Sequence, residues 1–380
     1  MCIKMHSHVI MVVGDNMILT TFGDRIKYLR EKQNIPQSKL AKTTGIVREQ
    51  ISRIENGQIN PTLETVFRLS EALNITMSEL FDFDVVGQQQ EISNLSLKPF
   101  VKWAGGKTQI LPEILKMIPN SFNTYFEPFL GGGALLFQLK PINAVLSDYN
   151  SELITAYNCF KDADSFKLMV NEILNHQMNH SEEYYYQIRE MDKLPEFSNL
   201  PNHMRAARMI YLNKSCFNGL YRVNSKGYFN VPSGKYASVN AFDEILYNNL
   251  SKYLSLQSIS IINDDFQKAV ASAKKGDFVY FDPPYDTFDE KKNFTTYTKN
   301  AFGKDEQKRL ANVFKDLDSR GVKVMLSNHN TEFIRDLYNQ FNIKVINARR
   351  SINSVSSGRG NVEEVIITNY TLENTYDDIN

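Results

Sequence analysis

The stretch Val279-Tyr280-Phe281-Asp282-Pro283-Pro284-Tyr285 decides how the rest of this 380-residue chain is interpreted. Its apolar first half predicts a buried strand, which the two prolines must end because proline lacks a backbone N–H. Asp282 therefore follows a strand at its carboxyl end, where open α/β sheets bind their ligands. The carboxylate, the prolyl carbonyls and the Tyr285 ring suit a planar ring that carries an amine. A strand that merely ends in a proline-rich turn is the alternative.

Composition is ordinary for a globular chain of about two or three domains. The hydrophobic fraction is 42%, the charged fraction is 23%, and basic and acidic residues number 43 each. The zero net charge neither supports nor excludes nucleic acid, because binding depends on local patches. Three scattered cysteines predict neither a disulfide framework nor a zinc site, and they favour a cytoplasmic location.

Histidines also give no reason to expect a metal. His176 and His180 are four residues apart, but Gln177 stands where a zinc protease needs glutamate. Both histidines are therefore expected to be exposed residues of a helix, and no metal site is predicted.

A strand, a glycine loop and a helix are predicted in this order over Thr124–Phe137. Gly131 and Gly133 would let a ligand approach the backbone at the helix N-terminus. A dinucleotide fingerprint would need a small residue where Leu136 stands, so a nicotinamide site is disfavoured. The next predicted strand ends at Asp148, an acid in the position that commonly binds a ribose.

A lysine and the only tryptophan precede this loop. Gly106-Lys107-Thr108 imitates the end of a P-loop, but Val101 stands where that motif needs glycine. Lys107 can still hold a ligand carboxylate, and Trp103 can pack on an apolar or cationic group. Asp148 and Asp282 each follow a predicted strand. Together with these two acids, Lys107 and Trp103 predict a nucleoside cofactor beside a planar second substrate.

A compact module of short helices is predicted over residues 22–83, between an N-terminal extension (1–21) of no clear role and a polar linker (84–98). Two of its helices each end at a glycine, Gly45 and Gly57, which is typical of a helix-turn-helix. The second helix would carry Arg48, Gln50 and Arg53 outward.

The segment I-S-R-I-E-N-G followed by N-P-T-L-E-T resembles the Cro/repressor-type helix-turn-helix family over about sixty residues. The resemblance implies that Gln37 and the start of the Arg48–Asn56 helix face DNA. A helical packing module without DNA contact is the alternative.

Four blocks occur in the order K-W-A-G-G-K, F-E-P-F-L-G-G-G-A-L, S-D-Y-N-S-E-L and D-P-P-Y. In that order they resemble the Dam-type (alpha-class, D12) DNA adenine-N6 methyltransferases. The resemblance implies a Rossmann-like α/β methyltransferase domain (99–380) with a mostly helical target-recognition insertion (about 155–255), preceded by the small all-α helix-turn-helix domain. It also implies S-adenosylmethionine as the cofactor. The implied cofactor contacts are Trp103, Lys107, Phe129, Gly131, Gly133, Asp148, Asp265, Phe266 and Asp282.

The block Asn213–Tyr236 interleaves cations with aromatic residues in a Gly- and Asn-rich stretch. That pattern suits phosphate contact and base stacking, and a solvated loop is the alternative. The resemblance makes Phe217 and Asn218 candidates to fill the space left by a flipped base. It makes Leu220 and Arg222 candidates to read neighbouring bases.

Further cations are candidate DNA contacts. Lys235 belongs to the same block, and Arg349, Arg350 and Arg359 lie in a Ser- and Gly-rich stretch that could clamp a phosphate. A merely solvated loop is again the alternative.

The sequence thus predicts a site-specific DNA adenine-N6 methyltransferase (EC 2.1.1.72 class) acting on duplex DNA, with Asp282, Pro283, Pro284 and Tyr285 at its catalytic centre. The segment R-V-N-S-K-G-Y-F-N-V-P resembles members that act on GATC, so GATC is the expected site and another GAT-containing site the alternative. The enzyme would belong to a restriction-modification system, with a cognate endonuclease as partner, or be an orphan methylase. Two rival hypotheses are a non-catalytic helix-turn-helix regulator with a cofactor-sensing domain and a methyltransferase of RNA or of a protein amide.

Overall fold

The structure is a computed structural model that describes residues 15–81, 91–107, 109–286, 302–349 and 361–371. The chain divides into two compact units, Met1–Asn94 and Leu95–Asn380. Within the described ranges, no helix has both the length and the apolar character that a membrane span requires.

The N-terminal unit is all-helical. Ile26, Leu40, Ile51 and Leu69 are fully buried in its core. A side chain at Gly23 could not be accommodated, because a Cβ there would lie 2.3 Å from the carbonyl oxygen of Ile54. The helices are Asp15–Lys32, Gln37–Thr44, Arg48–Glu55, Leu63–Ala72 and Met77–Leu80, so the first begins inside the predicted N-terminal extension.

The larger unit is built on one seven-stranded sheet in the order β3-β2-β1-β4-β5-β7-β6. Strands β1 to β5 run parallel, and β7 runs antiparallel to both of its neighbours. The strands are β1 Tyr125–Glu127, β2 Ala144–Ser147, β3 Ile259–Ile262, β4 Phe278–Phe281, β5 Lys323–His329, β6 Asn342–Arg349 and β7 Asn361–Thr368.

The central strands explain the position of the site. All four residues of β4 are buried, as expected for a parallel strand covered on both faces. Chain order along the sheet reverses between β1 and β4, and ligands of open α/β sheets bind outside the carboxyl ends of the strands at such a point. Glu127 ends β1 and Asp282 directly follows β4, so two carboxyl groups lie at this point.

Helices cover the sheet. Lys304–Ser319, for example, buries Leu310, Phe314 and Leu317 in the core cluster that also contains Val279. The same unit contains the helices Leu111–Leu115, Ala134–Leu139, Phe266–Ala269 and Glu332–Leu337, and Glu244–Leu254 lies between β2 and β3.

The insertion between β2 and β3 is mostly helical, as predicted. It contains Ser151–Lys161, Ala163–Met178, Glu182–Glu190 and Asn202–Ser215, followed by a bridge between Val223 and Phe229.

The expectation that both histidines of this insertion are exposed was wrong. His176 is buried, its Nδ1 lies 2.8 Å from the Tyr184 hydroxyl, and burial lowers its pKa to about 4. His180 is half-buried and its Nδ1 lies 2.7 Å from the Tyr211 hydroxyl. The described residues contain no cluster of His, Cys, Asp or Glu that could hold a metal ion.

Candidate active site

Asp282 lies at the centre of the site. Its Oδ1 is 2.7 Å from the Lys107 ammonium and accepts a 3.2 Å hydrogen bond from the Ser327 hydroxyl. The Lys107 side chain is 9% exposed and that of Asp282 is 18% exposed, so the pair is largely shielded from water. Burial raises the pKa of Asp282, while Lys107 and Ser327 oppose that rise. The pair can therefore present a carboxylate acceptor in a site of low dielectric.

Tyr285 is held at both its ring and its hydroxyl. The hydroxyl donates to Glu364 Oε2 on β7 at 3.1 Å, and the His329 ring packs edge-on at a centroid distance of 4.9 Å. The Lys107 ammonium lies 4.4 Å from the centroid of the Tyr285 ring. Lys107 of the K-W-A-G-G-K block therefore forms one cluster with Asp282 and Tyr285 of the D-P-P-Y motif.

The glycine loop is built around Asp148. The Asp148 carboxylate accepts hydrogen bonds from the backbone N–H groups of Gly131 and Asn150, each at 2.9 Å. The Tyr157 hydroxyl donates to the Gly131 carbonyl at 3.1 Å. Gly131 has φ +49°, and a Cβ there would lie 2.9 Å from Trp103 Cδ1. Only glycine allows the indole to lie this close to the loop.

Aromatic rings lie beside this loop. The Phe129 and Phe266 rings stack with centroids 5.3 Å apart, and Phe302 meets Phe129 edge-on at 5.6 Å. Both Asp265 oxygens bind the Arg309 guanidinium, at 2.8 and 2.7 Å, and this ion pair lowers the pKa of Asp265. The Asp265 carboxylate, a predicted cofactor contact, therefore already has a cationic partner.

The block Asn213–Tyr236 is tied to the loop that carries Trp103. The buried Asn213 side chain accepts from the Lys102 N–H and donates to the Lys102 carbonyl, both at 2.9 Å. The same amide donates to the Gly219 carbonyl at 3.0 Å. Trp103 stacks on Tyr221 with centroids 4.7 Å apart. The sequence blocks around Lys102 and Gly219 are therefore in direct contact.

Glu127 is a site residue that sequence reasoning missed. It is 3% exposed, and its Oε2 accepts a 2.9 Å hydrogen bond from the Tyr125 hydroxyl. Burial raises its pKa to about 8, and the neighbouring Asp282 adds to the rise. Its position at the end of β1, within the F-E-P-F block, was the available signal.

Replacing Glu127 with glutamine should change how stability depends on pH. The pKa of Glu127 is about 8 in the fold against 4.5 for an exposed glutamate, so the folded state binds the extra proton between these values. Stability contributed by this group is therefore present at low pH and lost as pH rises towards 8. The wild-type unfolding free energy should fall between pH 6 and 8 by about 2 kcal/mol more than that of Glu127→Gln. Denaturant titrations at both pH values measure this, and parallel changes in the two proteins would contradict it.

Two family models match the chain. The model for D12 class N6 adenine-specific DNA methyltransferases covers residues 103–352, which include the whole Asp282, Lys107 and Tyr285 cluster. The chain belongs to this family. A second model, for the helix-turn-helix, matches residues 26–80. The protein is therefore a DNA adenine-N6 methyltransferase with an N-terminal helix-turn-helix domain.

Relatives of this methyltransferase are themselves named as methyltransferases or as a DNA adenine methylase. It is 46% identical to the type II methyltransferase M1.LlaDCHI of Lactococcus lactis subsp. cremoris, over 73% of this chain and 97% of that protein. It is 40% identical to M.MjaIII of Methanocaldococcus jannaschii, over 73% and 100%, and 34% identical to the DNA adenine methylase of Haemophilus influenzae, over 72% and 93%. Among solved structures, the restriction-modification controller protein C.AhdI of Aeromonas hydrophila is 36% identical over 17% of this chain and 96% of that one, with a TM-score of 0.17.

The candidate DNA-reading residues of the methyltransferase domain lie on an exposed turn and hairpin. Phe217 is 52% exposed, and Asn218 has φ +58°, a strained conformation for a residue other than glycine. Leu220 is half-buried. Arg222 is exposed, and its Nε donates to Asn230 Oδ1 at 2.7 Å. Lys235 is also exposed, with φ +56°.

The remaining candidate DNA contacts are more scattered. Arg349 is the last residue of β6, whereas Arg350 and Arg359 lie outside the described residues. In the helix-turn-helix domain, Arg48 and Arg53 are exposed and Gln50 is half-buried. The Gln37 side chain donates to Glu55 Oε2 at 2.8 Å.

Proposed function

We propose that this enzyme transfers the methyl group of S-adenosylmethionine to N6 of an adenine that has been flipped out of duplex DNA at GATC. The observation that carries the proposal is the largely shielded cluster of Asp282, Lys107 and Tyr285 at the end of β4. It combines a carboxylate acceptor, a cation and a flat ring within one shielded site. An adenine offers the matching features, namely an exocyclic amine and a planar face.

The residues of the site would act mainly by positioning. Asp282 and the Pro283 carbonyl accept hydrogen bonds from the two N6 hydrogens, which draws the nitrogen lone pair out of ring conjugation. Tyr285 stacks on the adenine and holds the amine in line with the incoming methyl group. Such alignment can supply much of a rate enhancement, with no covalent enzyme intermediate.

The residues around the glycine loop fit S-adenosylmethionine, which when bound supplies an electrophilic methyl group. Lys107 would hold the carboxylate of the cofactor, and Asp148 would accept from the ribose hydroxyls. Phe266 and Phe129 offer apolar rings for the adenine. The close packing of Trp103 on Gly131 supports this cofactor site, because the absence of a Cβ at Gly131 leaves room for the indole against the loop.

Gly131→Ala should weaken S-adenosylmethionine binding by about tenfold or more, because a displaced Trp103 no longer lines the site. Gly227→Ala is the matched control: Gly227 also has a positive φ (+87°), but a Cβ there meets no atom within 4 Å. Both substitutions introduce backbone strain of about 1 kcal/mol. Only the Cβ at position 131 would also clash with the Trp103 ring. Calorimetric titration with the cofactor alone, in the absence of DNA, measures the difference. Equal affinities for the two variants would remove Gly131 and Trp103 from the proposed cofactor site.

Digestion of methylated DNA tests the proposed target. DNA incubated with the enzyme and cofactor should resist nucleases that are blocked by N6-methyladenine at GATC, and modification mapping should find the mark at no other motif. Methylation of a different GAT-containing site would correct the specificity and leave the chemistry intact. The type II names of two relatives favour a cognate endonuclease as partner. An extract of the host that cleaves only unmethylated GATC would reveal that endonuclease.

We also propose that the helix-turn-helix domain serves regulation of transcription and is dispensable for catalysis. The exposed Arg48 and Arg53 support a DNA-facing surface on this unit, and the methyltransferase family match begins only at residue 103. A protein lacking residues 1–94, the whole N-terminal unit, should therefore keep its specific methylation rate within about threefold. Loss of all activity in a folded truncation would show instead that this unit takes part in catalysis.

A further inference from the structure

Two buried amide side chains lie behind the segment Asp282–Asp286 that follows β4 (the catalytic turn). They belong to none of the motifs described above. Gln307, on helix Lys304–Ser319, is 1% exposed, and Asn328, on β5, is 0% exposed. The Asn328 amide donates to Gln307 Oε1 at 3.2 Å. Buried amides are costly unless they are hydrogen-bonded, and leucine would fill such space between a helix and a sheet more simply. Their other partners therefore indicate what they do.

Both amides bind the backbone of the catalytic turn. Gln307 Nε2 donates to the Pro284 carbonyl at 2.8 Å. Asn328 Oδ1 accepts from the Asp286 N–H at 2.9 Å. Pro284 and Asp286 are the residues immediately before and after Tyr285, so the amide pair fixes the peptide groups on both sides of the tyrosine.

This arrangement makes the two prolyl carbonyls inequivalent. The Pro284 carbonyl is engaged by Gln307, whereas no described residue donates a hydrogen bond to the Pro283 carbonyl. A peptide group is planar, so holding the Pro284 carbonyl also fixes where the Tyr285 backbone begins. The distance between the carboxylate of Asp282 and the Tyr285 ring is thereby constrained.

We propose that Gln307 and Asn328 are positioning residues. They leave the Pro283 carbonyl as the second acceptor for the target amine, and they set the distance between the Tyr285 ring and the Asp282 carboxylate. The inference rests on the proposed function, in which Asp282 and Tyr285 hold the flipped adenine. Neither amide touches the substrate, and both act through the turn.

Two variants of Gln307 test the proposal. Gln307→Leu fills the same space but cannot donate to the Pro284 carbonyl. Gln307→Glu can donate only when the introduced carboxyl is protonated, in which case it also accepts from Asn328 as glutamine does. The measurement is the single-turnover methylation rate at saturating DNA and S-adenosylmethionine between pH 6 and 8.5, divided by the wild-type rate at each pH.

Gln307→Leu should lower the rate by about 10- to 100-fold, with the affinities for DNA and cofactor unchanged. The relative rate of Gln307→Glu should rise as pH falls, or equal that of wild type throughout if the carboxyl stays protonated. A simple packing role would not produce acid rescue. If Gln307→Leu fails to fold, the Gln307→Glu profile decides alone, and a relative rate that is independent of pH, whether low or equal to wild type, then overturns the proposal.

Near-wild-type rates in both folded variants would also overturn it. Asp282→Ala, assayed in parallel, distinguishes failure of the positioning role from failure of the proposed function. If Asp282→Ala is inactive and Gln307→Leu is normal, only the positioning role fails. If Asp282→Ala is active, the proposed function fails first.

Discussion

Asp282→Ala should lose at least about 10²- to 10³-fold of the single-turnover rate of methyl transfer. The substitution removes the proposed acceptor for the target amine and leaves the Lys107 ammonium without the carboxylate that lies 2.7 Å away. The assay follows labelled methyl groups into a duplex with one GATC site, at cofactor concentrations that saturate the variant. Saturation matters because Asp282 is also a candidate cofactor contact.

Asp282→Asn is the conservative control, because it keeps the shape and one acceptor oxygen. Its rate should lie between those of wild type and Asp282→Ala, and thermal unfolding should show that all three proteins fold. The raised pKa of Asp282 adds a pH test: protonation removes the carboxylate, so the wild-type rate should fall on acidification at a higher pH than an exposed aspartate would give. Near-normal turnover by folded Asp282→Ala would end this account of the chemistry.

Arg222→Ala should relax sequence specificity by an amount that corresponds to about 1–3 kcal/mol at one base pair. Arg222 is exposed on the hairpin of the block Asn213–Tyr236, and its Nε donates to Asn230 Oδ1 at 2.7 Å. A guanidinium oriented in this way can bind guanine with two parallel hydrogen bonds. The measured quantity is kcat/KM on GATC divided by kcat/KM on each singly substituted site.

The contrast between two cations of the same hairpin makes this test specific. Lys226 is also exposed, and Lys226→Ala should weaken binding to all sites nearly equally and reduce its salt dependence. Arg222→Lys should behave like Arg222→Ala in specificity, because an ammonium lacks the planar fork of donors. If discrimination falls equally at every position in Arg222→Ala, the arginine contacts phosphate and does not read a base.

Local motifs made much of this protein predictable from its sequence. Each motif encodes a strand end or a glycine turn, and such features depend on a few consecutive residues. The α/β sheet with its helical insertion was therefore confirmed, and Asp282, Lys107 and Tyr285 do lie together. Their proposed roles in catalysis stay predictions.

Residues that were missed depend on contacts across long stretches of chain. Gln307 and Asn328 meet the catalytic turn only after the helix and β5 pack behind it, and Glu364 reaches Tyr285 from β7. No periodic pattern marks such polar positions. The burial of His176 was mispredicted for the same reason, since its tyrosine neighbours come from other helices.

The order of the elements along the chain determines which unit can fold first during synthesis. The N-terminal unit has its own hydrophobic core, so it can fold as soon as it is synthesised. Strand β7, whose Glu364 binds Tyr285, follows the other six strands of the sheet along the chain. At translation rates of about 5–20 residues per second, synthesis of Leu95–Asn380 takes roughly 15–60 s. The N-terminal unit can therefore be folded throughout that interval, before the sheet that carries Asp282 and Tyr285 is complete.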